Sequence, residues 1–206
     1  MSNNLNVDSL YFERQRKKLC GLHVINNFFQ QEKYNQRKLD EIAYEIDISN
    51  RLINPHKSFF GLGNYDANVL VHVFINNDYE IQWFDKRNAL EEIDFNMLGG
   101  ILINTVTFRI FGLYESRHWT IIKNMDNESS ITESTSSTIN DPNNLNYVLF
   151  DSSNSKPIKI SEKSKLINYL KYLQKNSKAE LILIYKNPIH SNNEKENEKE
   201  NNNNIK

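Results

Sequence analysis

The hydrophobic period changes once along this chain, and that change limits the architectures open to it. Before residue 76 the apolar residues recur at helical spacing. Leu22, Ile25 and Phe29 share one face of a helix beginning near Leu19, with Phe28 beside them and Cys20 and His23 flanking the stripe. Leu39, Ile42, Ala43 and Ile46 predict a second helix over 36–48. Asn54-Pro55 breaks it, because proline restricts the residue before it, and Gly61 and Gly63 bracket a turn. Asn64 or Asp66 can cap a third helix reaching about Asn76, with Val69, Leu70, Val73 and Phe74 as its apolar face.

From residue 79 the pattern reads as strands. Residues 79–83 alternate, 101–103 form a short continuous apolar run, and 118–122, 147–150 and 181–185 complete the set. Leu166, Ile167, Leu170 and Leu173 predict a surface helix before the last strand. Helices first and strands after predict an α+β fold, a helical part packed on a mainly antiparallel sheet of about five or six strands. Two segments fall outside any core. Residues 125–146 are rich in Asn, Ser, Thr and Asp and read as an insertion in a hairpin loop, and 189–206 is a polar tail. Neither offers enough apolar surface to offset its ordering entropy, so both are expected to be disordered, and the polar start 1–9 is expected to be flexible. The folded domain is expected over 10–188.

A chain of 206 residues suits one well-buried domain, and its polar segments account for a mean hydropathy of −0.66. The balance of 25 basic and 26 acidic residues supplies no reason to expect nucleic-acid binding. The cluster Arg14, Arg16, Lys17 and Lys18 reads as a solvated helix entry. With one cysteine an intramolecular disulfide is impossible, which points to a reducing compartment. The start MSNNLNVDSL lacks the pattern of a signal peptide, and no apolar run approaches the roughly 20 residues of a membrane span. The expectation is an intracellular protein, cytoplasmic or nuclear, monomeric and without a cofactor. One cysteine and five scattered histidines show no metal-ligand spacing.

Cys20 is the first candidate for chemistry. Thiolate formation is favoured at a helix N-terminus and near cations, and Cys20 starts an apolar helix after Arg16, Lys17 and Lys18. A lone cysteine is also among the most commonly buried and inert residues, so placement alone leaves both readings open. A nucleophile needs a base within hydrogen-bond reach. His23 shares a helix face with Cys20, but side chains of one helix run side by side, so His23 fits a structural role better. His118 opens the strand 118–122, precedes the bulky Trp119 and is the better base. Asp151 follows the strand 147–150, expected to pair with 118–122, so it can accept the other N–H of His118. Oxyanion stabilisation would come from the Cys20 backbone N–H and the side-chain amide of Gln15.

These residues also carry a resemblance. The run Tyr11-Phe12-Glu13-Arg14-Gln15-Arg16-Lys17-Lys18-Leu19-Cys20-Gly21-Leu22-His23-Val24-Ile25-Asn26-Asn27 resembles the opening of the Josephin family of deubiquitinases: an aromatic, E-x-Q, then C-x-x-H-x-x-N-N. Asn54-Pro55-His56-Lys57-Ser58, Gly61-Leu62-Gly63-Asn64-Tyr65-Asp66 and Trp83-Phe84-Asp85-Lys86-Arg87 resemble the short members that consist of this domain alone. His118-Trp119 and Leu149-Phe150-Asp151-Ser152 match the later motifs. The resemblance implies a papain-like cysteine protease fold and hydrolysis of bonds to the ubiquitin C-terminus. It implies Cys20 as nucleophile, His118 as base, Asp151 as orienting residue and Gln15 as oxyanion donor, with ubiquitin or ubiquitinated proteins as partners. The 125–146 insertion is longer than the family pattern, and the tail shows no ubiquitin-interacting motif. A ubiquitin-binding module without turnover, and an acyltransferase using the same Cys-His-Asp set, are the competing readings.

Overall fold

The computed structural model describes residues 5–46, 65–110, 114–126 and 144–186. The proline-broken segment, Gly61, Gly63, the far end of the second predicted helix, most of the 125–146 insertion and the polar tail lie outside the described residues. The described chain forms helices α1 (Cys20–Phe29), α2 (Gln36–Ile46) and α3 (Ala67–Ile75), then strands β1 (Tyr79–Trp83), β2 (Leu98–Ile110), β3 (Tyr114–Asn124), β4 (Asn144–Phe150) and β5 (Ile158–Glu162). Helix α4 (Lys163–Ser177) and strand β6 (Glu180–Lys186) follow. The α+β expectation is met: one six-stranded sheet in the order β1-β6-β2-β3-β4-β5, antiparallel at every pairing.

The sheet is covered on both faces, whereas the sequence predicts a single helical part. Val24, Ile25, Phe28, Val69, Leu70 and Phe74 of α1 and α3 pack on one face with Trp119, Ile121, Val148 and Phe150. Leu166, Ile167 and Leu170 of α4 pack on the other with Ile101, Ile103, Ile122 and Leu149. Two-sided cover explains why β6 reads as a continuous apolar run. It lies between β1 and β2, with Leu181 to Ile184 all buried. The strand missing from the sequence reading is β5. It is short, sits at the sheet edge and pairs with β4 through Tyr147↔Ile160 and its neighbours.

Two local features follow from chemistry legible in the chain. Asp66 caps α3, its carboxylate accepting from the backbone N–H of Asn68 at 3.0 Å and Val69 at 3.2 Å. The hairpin interrupted by the polar insertion closes more tightly than its composition predicts. β4 begins at Asn144 rather than near Tyr147, and the Met125 N–H donates to the Asn146 carbonyl at 2.9 Å.

Helix α1 is buried almost all round, from Cys20 to Phe28. Such a helix should be apolar throughout, yet His23, Asn26 and Asn27 are 6 %, 1 % and 0 % exposed. At its C-terminal end the buried Lys123 of β3 donates to the Phe28 carbonyl at 2.6 Å, satisfying a carbonyl the helix leaves unpaired.

Candidate active site

Cys20 is the first residue of α1 and only 4 % exposed, in the same core cluster as Trp119. Leu19 precedes it without a side-chain cap, so the first-turn N–H groups keep their partial positive charge beside the sulfur. His118 does not open its strand, as the sequence predicts. β3 starts at Tyr114, because the β2–β3 hairpin keeps pairing past a bulge between Val106 and Phe108, and His118 sits mid-strand opposite Thr105. The pairing of β3 with β4 runs from Asn124↔Tyr147 to Ile121↔Phe150 and stops short of His118. Asp151, the residue after β4, reaches the imidazole there.

His118 lies between the other two groups. Its Nε2–H donates to Asp151 Oδ1 at 2.8 Å, and the ring lines the same cleft as Cys20. Asp151 Oδ1 accepts as well from the Ser153 N–H at 2.9 Å and the Ser153 hydroxyl at 2.7 Å. Side-chain exposure is 13 % for His118 and 19 % for Asp151, enough burial for the pair to interact strongly.

Burial works against a charge on His118, but the hydrogen bond to Asp151, the Asp151 charge and the neighbouring Cys20 outweigh it and raise the imidazole from 6.5 to about 9. Burial also works against the Asp151 carboxylate, and its bonds to His118 and Ser153 outweigh it and hold that carboxyl below its usual value. The two signs define a pH window for stability. The His118 contribution is complete below 6.5 and is lost as pH rises toward 9. The Asp151 contribution is complete above 3.8 and is lost as pH falls. The unfolding free energy of wild type, from urea titrations, is therefore expected to exceed that of Asp151→Asn most at about pH 5.5, with the gap narrowing by roughly 2 kcal/mol toward pH 9.5. A gap constant across that range would contradict the charged pair.

Gln15 reaches the same place from the incoming segment. It lines a cleft of about 350 Å³ together with Lys18, Cys20, Arg117, His118 and Ser153. Its backbone N–H donates to the Ser152 carbonyl at 2.7 Å, tying the entry segment to the turn after Asp151, and its side-chain amide donates to the Lys17 carbonyl at 3.3 Å. Lys17 has φ 55°, a left-handed conformation that costs a non-glycine residue about 1 kcal/mol and turns the chain into α1. Of the four residues singled out in the sequence, Gln15, Cys20 and His118 line this cleft, and Asp151 is bonded to His118 behind it. Ser153, which fixes Asp151, was not among them, although Ser two residues after Asp is the pattern of an Asx turn. Among the described residues no group of His, Cys, Asp and Glu is arranged to hold a metal ion, and no helix is long and apolar enough to cross a membrane.

The Josephin family model matches residues 15–184. The chain belongs to the Josephin family. Josephin domains are of the deubiquitinase type, within the cysteine proteases. Josephin-2 of Homo sapiens is 34 % identical over 122 residues, which is 57 % of this chain and 64 % of that protein. A Josephin-like protein of Drosophila melanogaster is 32 % identical over 123 residues, 57 % of this chain and 55 % of the other. One of Arabidopsis thaliana is 30 % identical over 131 residues, 57 % of this chain and 36 % of the other. The matches thus span less than two thirds of these relatives' lengths. Among solved structures, the peptidase domain of Streptococcus ComA aligns with a TM-score of 0.42 at 14 % identity, covering 85 % of this chain and 97 % of that one, a likeness too distant to argue from.

Proposed function

We propose that this Josephin domain is a cysteine protease that hydrolyses peptide and isopeptide bonds at the C-terminal glycine of ubiquitin. The observation that carries this reading is the position of His118, which lines one cleft with Cys20 and is hydrogen-bonded to Asp151 at 2.8 Å. The proton of the Cys20 thiol passes to His118 before the attack, giving the imidazolium that its raised value favours, and the sulfur then attacks the glycine carbonyl carbon. The carbonyl π electrons move onto oxygen, and the Cys20 backbone N–H and the Gln15 amide stabilise that oxyanion. Collapse breaks the C–N bond, the imidazolium gives its proton to the leaving amine, and a thioester remains. His118 then takes a proton from water, whose attack releases ubiquitin and returns the thiol. Asp151 holds the ring in the tautomer that faces Cys20. The catalytic unit is 10–188, acting as a monomer inside the cell, where its single cysteine stays reduced.

The test is intact mass after incubation with ubiquitin bearing a thiol-reactive C-terminal electrophile. An adduct of one ubiquitin, mapped to Cys20, is the expected result. Ubiquitin binding without any adduct would favour a binding module and sink the hydrolase reading.

A further inference from the structure

Helix α1 buries three polar residues that the proposed reaction does not use, and all three bond to the chain entering the site or to the loop after the helix. Asn27 Oδ1 accepts from the Glu13 N–H at 2.6 Å, and the Asn27 amide donates to the Glu13 carbonyl at 3.3 Å. The Asn26 amide donates to Glu13 Oε1 at 2.9 Å and to the Tyr34 carbonyl at 2.9 Å. His23 is engaged at both nitrogens: Nδ1 lies 2.6 Å from Glu13 Oε2, and Nε2 lies 3.2 Å from the backbone nitrogen of Arg16.

The second contact settles the tautomer. A backbone N–H can only donate, so Nε2 of His23 is an acceptor and the ring proton sits on Nδ1, donated to the Glu13 carboxylate. Tyr11 donates its hydroxyl to the same carboxylate. Burial opposes the Glu13 charge, yet the bonds from His23, Tyr11 and Asn26 outweigh it and hold the carboxyl below its usual value. The arrangement repeats the carboxylate–imidazole unit of His118 and Asp151, but here the outer nitrogen is occupied by backbone and has no proton to trade.

What the pair fixes is Gln15. Arg16, held by His23, is its neighbour, and Gln15 itself is tied by its own N–H to Ser152 at 2.7 Å. The segment is thereby pinned to α1 on one side of Gln15 and to the Asp151 turn on the other. We propose that His23, oriented by Glu13, is a positioning residue that sets the Gln15 amide relative to the Cys20 backbone N–H for oxyanion binding. The inference rests on the hydrolase reading of the site. A shift of about 1 Å in a donor costs catalysis far more than one hydrogen bond costs stability, so a rate effect should exceed any effect on folding.

The test compares wild type, His23→Asn, His23→Gln, Glu13→Gln and Gln15→Ala on a fluorogenic ubiquitin C-terminal amide, with iodoacetamide alkylation of Cys20 as a second readout. Alkylation displaces iodide at a tetrahedral carbon and needs no oxyanion donor. His23→Asn keeps an N–H toward Glu13 and loses the Nε2 acceptor. It is expected to lower kcat roughly 10- to 100-fold with KM and the alkylation rate close to wild type. His23→Gln, whose carbonyl reaches the Nε2 position, should recover most of the loss, and Glu13→Gln should fall in the same direction as His23→Asn. Adding His23→Asn to Gln15→Ala should cost little more, because both act through one amide. Full kcat in His23→Asn and Glu13→Gln, additivity with Gln15→Ala, or a parallel fall in alkylation would each overturn the positioning role. A wild type that alkylates at Cys20 but hydrolyses no ubiquitin amide sinks the hydrolase reading along with it, whereas the other outcomes sink this inference alone.

Discussion

Cys20→Ala is expected to remove hydrolysis of a ubiquitin C-terminal amide almost entirely, by about 10⁶ in kcat, with the fold intact. The sulfur is the atom that would form the acyl intermediate, and no other cysteine exists in the chain to replace it. Cys20 packs in the core at the start of α1, so losing one sulfur atom opens a small cavity, worth about 1 kcal/mol and not enough to unfold the domain. On the hydrolase reading ubiquitin affinity should be retained, since binding contacts would not depend on a reacting bond. His118→Ala should lie between the two, losing on the order of 10³ in kcat while the thiol persists. Progress curves on the fluorogenic amide, with circular dichroism as the check on folding, decide the matter. Substantial turnover by Cys20→Ala would place the chemistry elsewhere.

Gly100→Ala is expected to lower stability by about 3 kcal/mol, more than an added methyl at Gly21 or Gly99. A Cβ at Gly100 would sit 2.6 Å from the Ile122 carbonyl oxygen and 3.0 Å from the Phe28 ring. The first is backbone of the paired strand β3, and the second is a ring wedged against Phe29, Phe74 and Tyr79, so neither can retreat cheaply. Gly99→Ala is the control. Its Cβ would meet Tyr79 at 3.4 Å and the Ile184 carbonyl at 3.5 Å, ordinary contact distances, and should cost about 1 kcal/mol or less. For a domain of this size the difference corresponds to roughly 4–8 °C in Tm by calorimetry. Equal midpoints for the two variants would contradict the close approach of α1 and β3 at Gly100.

Much of this architecture was legible because its signals are local. The caps, the helical stripes of α1 and α3 and the run of β6 need only neighbours in sequence to be read, and the Asp66 cap and the α1 start fall where the residues predict. The sequence placed His118 at a strand end because the continuous apolar pattern begins only after it. The structure carries β3 back to Tyr114, because antiparallel pairing with β2 depends on a partner strand and not on local propensity. Strand β5 was missed for the same reason: Ile158–Glu162 alternates weakly, and its pairing with β4 is what makes it a strand. The candidate site divides similarly. The residue types of Gln15, Cys20, His118 and Asp151, and the structural reading of His23, came from chemistry written along the chain. In the structure His23 accepts from the Arg16 backbone N–H.

The amino-acid sequence alone determined the α+β class, the family and the set of chemical groups available, because periodicity, caps and motif spacing are properties of short stretches. Only the tertiary structure decided which groups meet. His118 and Asp151 are separated by 33 positions and brought to 2.8 Å by a hairpin, and Glu13 meets His23 because an extended segment lies along a buried helix. Tautomer, charge state and the raised value of His118 follow from those contacts, since electrostatic interactions are set by distance and burial in space and not by separation along the chain.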